Sequence, residues 1–227
     1  MINFVNKERE TFSGYHIKMG REWRLFGQVN KLHTPLAYSA FEFRIAIERF
    51  LFEFFYLIKK RKFCKHDEKQ ASSVSRLISA IYKEVGGKEI LEKRLRFNRI
   101  VSEMQIVNGN YLSGRDLPSV FDIDILNKYW QKLSNYCHKQ LKPEITWSSM
   151  GNDWVVNGYN LLNEAEDYLL RVTVNNSIGW FNMDNAQIEI INAFNDYCYE
   201  KINDDDLKLR IRLLNPTFEY RKRNKIK

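Results

Sequence analysis

Only 4 of the 227 residues are proline and 10 are glycine, so the chain lacks the turn chemistry of a loop-rich or low-complexity protein. Cysteine is sparse as well. Cys64, Cys137 and Cys198 are odd in number and irregularly spaced, which suits reduced thiols and argues against a disulfide framework. Long apolar runs are missing: the strongest stretch, Phe41 to Ile58, carries Glu42, Arg44, Glu48, Arg49 and Glu53, too many charges for a membrane span. Met1 to Arg9 holds Lys7, Glu8 and Arg9 and none of the apolar core of a signal peptide, so the cytoplasm is the expected location. No Gly-rich phosphate loop, nucleophile elbow or His-Glu-x-x-His motif occurs, which sets those enzyme classes aside. Acidic residues are the scarcer charge: 28 Asp and Glu stand against 36 Lys and Arg, a net charge of +8. That balance favours a polyanionic partner, most often nucleic acid, because phosphate contacts by Lys and Arg release condensed counterions.

What is present is helical periodicity. Apolar residues make up 44% of the chain and charged residues 28%, enough to bury one main core. The pattern predicts an all-α, multi-helix bundle: a single helical domain over residues 1–215 and a basic C-terminal tail over 216–227. After a segment holding Trp23, Leu25, Phe26 and Val29 that carries no clear assignment, Pro35 opens a long helix from about Leu36 to Lys60. A polar connection, Lys65 to Lys69, leads to a helix at about Gln70 to Val85, ended by Gly86 and Gly87. Further helices are expected over Lys88 to Val107, about Asp122 to Gln140, about Asp153 to Leu170 with Asp153 as a cap, and about Asp184 to Ile202. A loop falls at Asn108 to Pro118 and a turn at Asn175 to Trp180. Leu207, Leu209, Ile211 and Leu213 alternate with Lys208, Arg210 and Arg212, a period of two that predicts a short strand or extended arm.

Two places break the simple pattern. In the long helix Glu42, Arg49 and Glu53 share a polar strip, but Arg44 and Glu48, four apart, lie among Phe41, Ile47, Leu51 and Phe55. They read as a partly buried ion pair that orients helices. In the helix starting near Asp122, Leu126, Tyr129, Trp130, Leu133, Tyr136 and Cys137 form one apolar stripe, and His138 sits on its flank with Asn127, Gln131, Ser134 and Asn135. His138 is either a helix C-terminal histidine bonded to a carbonyl or an acid-base group, since its ordinary pKa lies near neutrality. Cys64, His66, Cys137 and His138 are the right residue types for zinc at the wrong spacing, so no metal or other cofactor is expected. The tail, with Arg221, Lys222, Arg223 and Lys225, is either a solvated terminus or a phosphate-tracking segment with Phe218 and Tyr220 available to stack on bases.

The segment Lys132-Leu-Ser-Asn-Tyr-Cys-His138 resembles the HEPN superfamily of all-helical prokaryotic domains, whose RNases carry Arg, four to six residues, then His on a late helix. The resemblance covers residues from about 36 to 140, with Phe43 to Arg49 similar to the Arg- and Glu-bearing first helix of some members. It implies metal-independent RNA cleavage in a defence or toxin setting, with His138 assisting proton transfer as the ribose 2′-hydroxyl attacks the adjacent phosphate, and with Lys132, Arg44 and Glu48 beside it. It also implies a homodimer or a protein partner in a defence complex. Lys132 stands where the family has Arg, and a lysine lacks the planar fork that grips phosphate at two points. The alternative is a non-catalytic helical subunit that binds nucleic acid, RNA before DNA, or a protein.

Overall fold

A computed structural model describes residues 12–30, 32–59, 64–107, 121–138, 152–174 and 188–224. Of these, 89% are helical, in nine helices with no strand, which is the all-α bundle that the periodicity predicts. In chain order they are α1 (Ser13–Asn30), α2 (Thr34–Ile58), α3 (Lys65–Gln70), α4 (Val74–Val85), α5 (Lys88–Val107), α6 (Ile123–His138), α7 (Asn152–Val174), α8 (Ile188–Cys198) and α9 (Asp204–Asn224). The expected loop at 108–118 and turn at 175–180 lie outside the described residues. Among the described residues no helix is long and apolar enough to cross a membrane. The chain forms two compact units, Met1–Ala80 with Phe121–Val174, and Ile81–Val120 with Asn175–Lys227.

The first unit is built round α2. Leu36, Phe43, Ile47, Phe50, Leu51 and Phe54 recur at three- and four-residue spacing and are at most 1% exposed. Fully burying each such side chain stabilises the fold by about 1.5–3 kcal/mol. Phe121, just ahead of α6, sets its ring edge-on to Phe50 at 5.1 Å and to Phe54 at 4.8 Å. Helices α1, α6 and α7 all pack on α2.

The polar strip of α2 turns out to hold α1. Ser13 donates its N–H to Glu53 Oε1 at 2.6 Å and its hydroxyl to Oε2 at 2.8 Å, and His16 Nδ1 lies 2.7 Å from Glu42 Oε2. Two glycines let α1 come close. A Cβ on Gly20 would lie 2.6 Å from the Phe43 ring, and one on Gly27 would lie 2.8 Å from Pro35 Cβ. Arg24 of α1 then reaches Glu166 of α7 at 2.7 Å; the carboxylate is buried and the guanidinium largely so. At the far end of α2, Lys59 pairs with the buried carboxylate of Asp67, which also accepts the Cys64 N–H at 2.9 Å and so caps α3. The polar stretch beginning at Lys65 is therefore a short helix of its own.

In the second unit α5, α8 and α9 share a core of Phe97, Ile100, Val101, Ile190, Ala193, Tyr197, Leu207 and Ile211. Gly86 and Gly87, at φ +93° and +121°, end α4 by turning their N–H groups onto the Tyr82 carbonyl, conformations that residues with a Cβ rarely adopt. The strand or arm expected at residues 207–213 is instead part of α9. Leu207 and Ile211, one helical turn apart, are 0% and 7% exposed, whereas Leu209 and Leu213 are 55% and 67% exposed. A strand would have put all four on one face. The deciding signal lies upstream: Asn203 Oδ1 accepts the N–H groups of Asp205 and Asp206 at 2.9 and 3.0 Å, and Asp206 accepts the Asn203 N–H at 3.2 Å. This reciprocal cap, with three aspartates at the positive end of the helix dipole, starts a helix whatever the alternation that follows.

Candidate functional site

Helix α6 carries the residues with the most chemistry, and its own sequence sets how it sits. Asp122 Oδ1 accepts the N–H groups of Asp124 and Ile125 at 2.7 and 3.1 Å, which fixes the first turn. Leu126 and Leu133 are fully buried, while the remaining members of the stripe are half-buried and divide between two neighbours. Tyr129 and Tyr136 turn to α7, where they meet Tyr168 and Trp154 with ring centroids 5.6 and 4.8 Å apart. Trp130 turns to α2.

On that side Arg44 lies over the indole of Trp130, 4.8 Å from its centroid, and its Nε donates to Glu48 Oε1 at 3.3 Å. Trp130 Nε1 donates to the same oxygen at 2.7 Å. Side-chain exposure of 23% for Arg44 and 38% for Glu48 matches the partly buried pair that the sequence predicts, and its partner is an indole on the facing helix. Arg44 also neighbours Cys137, whose thiol burial pushes up; a thiol held protonated is a poor nucleophile.

Lys132 faces elsewhere. It is exposed, and with Asn135 and Tyr136 of α6 it lines an open cleft of about 630 Å³ whose other wall is Trp154, Asn157, Asn160, Leu161 and Glu164 of α7. Arg44 and Glu48 do not line this cleft, so the structure separates Lys132 from the pair that the sequence grouped with it. Gly158 allows the wall to form: a Cβ there would lie 2.8 Å from both Leu36 Cδ2 and Tyr136 Cε1. No family model, no curated protein and no solved structure matches this chain. The residues of the cleft must therefore speak for themselves. Their chemistry is mixed: one ammonium, one carboxylate, three amides that each donate and accept, and two aromatic rings. Burial raises the pKa of Tyr136, so its hydroxyl stays protonated near neutrality.

The other expected site residues fall at the limits of the described structure. His138 is the last residue of α6 and its side chain lies outside the described residues. Arg221, Lys222 and Arg223 fall within α9 with their side chains likewise outside, and Lys225 lies wholly outside. Trp154, Asn157, Asn160 and Glu164 were missed in the sequence. A signal existed: their three- and four-residue spacing is a polar, aromatic-headed stripe on the exposed side of α7.

Proposed function

We propose that this protein is a helical RNA-binding protein, resembling the HEPN superfamily, that holds RNA through α6 and a basic surface and works as a subunit in a prokaryotic defence setting. The observation that carries this reading is the position of Lys132, exposed on a polar and aromatic cleft, while Arg44 and Glu48 are engaged with each other and with Trp130. The indole and the carboxylate hold the Arg44 guanidinium on the α2 side of α6, away from the cleft that Lys132 lines. Lys132 also lacks the planar fork with which a guanidinium grips phosphate at two points. Binding without cleavage is the function these facts favour, and the net charge of +8 supports a polyanionic target.

The test is binding of labelled RNA at rising salt, with product analysis in the same tubes. Wild-type protein should bind at low ionic strength and lose affinity steeply as salt rises. Lys132→Ala should lower the slope of log affinity against log salt by about one. Removing residues 221–227 should lower it further. RNA should stay intact with or without chelator. Cleavage by the wild type that disappears in His138→Ala would replace this reading with metal-independent catalysis, and absence of any complex at low salt would end the RNA reading altogether.

A further inference from the structure

The α6–α7 cleft is a poor track for a nucleic-acid backbone. A groove that follows phosphates presents a row of cations, whereas here Lys132 is accompanied by Glu164, which repels phosphate. What the lining offers instead is surface for something planar, uncharged and edged with donors and acceptors. Trp154 and Tyr136 stack with centroids 4.8 Å apart and planes inclined by 36°. Trp154 is half-buried, and its ring contact with Tyr136 ties it to α6. Asn157 and Asn160 follow it along α7 at spacings of three, both exposed, and Glu164 lies one turn further on.

A base that is paired in a duplex has neither its faces nor its pairing edge free. An unpaired base has both, and the recurrent way proteins hold one is an aromatic face for the ring with amide or carboxylate groups for the edge. The volume of the cleft, about 630 Å³, is ample for one nucleotide, leaving Lys132 to meet its phosphate. We infer that the α6–α7 cleft is a base-binding site that takes an unpaired nucleotide of single-stranded RNA, stacking it at Trp154 and reading its edge with Asn157, Asn160 and Glu164. This rests on the RNA reading above and narrows its target to single strands.

Three ligands separate the possibilities: a single-stranded RNA 10-mer, the same sequence as a perfect duplex, and a free nucleoside monophosphate. Binding is measured with the full chain by fluorescence anisotropy for the labelled RNAs and by calorimetry for the nucleotide. The single strand should bind at least tenfold more tightly than the duplex. Trp154→Ala should reduce single-strand affinity about tenfold or more, the loss of one base–aromatic stack, and leave duplex affinity unchanged. Asn157→Ala and Asn160→Ala are exposed substitutions that leave the packing intact, and each should weaken the single strand several-fold even where Trp154→Ala perturbs folding. Equal binding of both RNAs with no effect of these variants overturns the base site and leaves RNA binding standing. A nucleoside monophosphate bound as tightly as the 10-mer overturns the strand as the ligand. Failure of every RNA to bind at low salt removes the reading on which the inference rests.

Discussion

Replacing Glu166 with leucine strips α7 of the carboxylate on which α1 is pinned. Its side chain is 5% exposed; Oε2 accepts from Arg24 Nε at 2.7 Å, and Arg21 Nε lies 3.3 Å from Oε1. Arg24 is itself only 12% exposed, so the substitution leaves a guanidinium buried with one remaining partner, the Gln28 side-chain oxygen at 2.7 Å. Removing one member of a buried pair costs about 3–5 kcal/mol because the other charge stays desolvated and uncompensated. Gln28 offsets part of that here, which sets the expectation at the lower end, about 3 kcal/mol, a large fraction of the about 5–15 kcal/mol that holds a typical domain. Arg24→Met in the same chain removes the stranded charge. The double variant should recover to within about 1 kcal/mol of wild type, since apolar residues of similar volume replace a buried ion pair at little cost. Urea unfolding followed by far-UV circular dichroism and tryptophan fluorescence gives the three differences and their coupling. A loss below about 1 kcal/mol for Glu166→Leu alone, or a double variant as unstable as the two singles added, would refute the claim that this pair is buried and self-compensating.

Two further outcomes are specific to this fold. The hydrogen bond from Lys59 holds the Asp67 carboxyl well below the usual carboxylate range, so its contribution to stability is complete above about pH 4 and drains away as pH falls, while the unfolded chain takes up the proton. Asp67→Asn should lower the melting temperature near neutrality and flatten its decline between about pH 4 and pH 2; parallel curves for the two proteins would show that the pair is not linked to folding. In α9, Leu207→Lys should destabilise the second unit by several kcal/mol, whereas Leu209→Lys should change it by less than about 0.5 kcal/mol, because only the first side chain is in the core. Equal effects at the two positions, in chemical denaturation, would restore the strand.

The helices that sequence alone determined are those whose periodicity and punctuation agree. Pro35 opens α2, Gly86 and Gly87 close α4, and the Leu126–Leu133 stripe behind the Asp122 cap defines α6, each through interactions within a few residues of chain. The partial burial of Arg44 and Glu48 was legible in the same way, as charges set into an apolar face. α9 misled because Leu207 to Leu213 alternates for seven residues, whereas the cap that overrules the alternation is made by the Asn203 and Asp206 side chains at and before its start. α1 left almost no local mark: its Gly20, Ser13, His16 and Arg24 gain meaning only from Phe43, Glu53, Glu42 and Glu166, residues 23 to 142 positions away. The candidate site divides along the same line. Lys132 could be picked out from the chain, but whether it faces Arg44 or Asn157 depends on which sides of α6 the neighbouring helices cover. One helix presents several faces at once, and its sequence lists the residues on each; only the packing of α2 against one side and α7 against another decides which of them share a cleft.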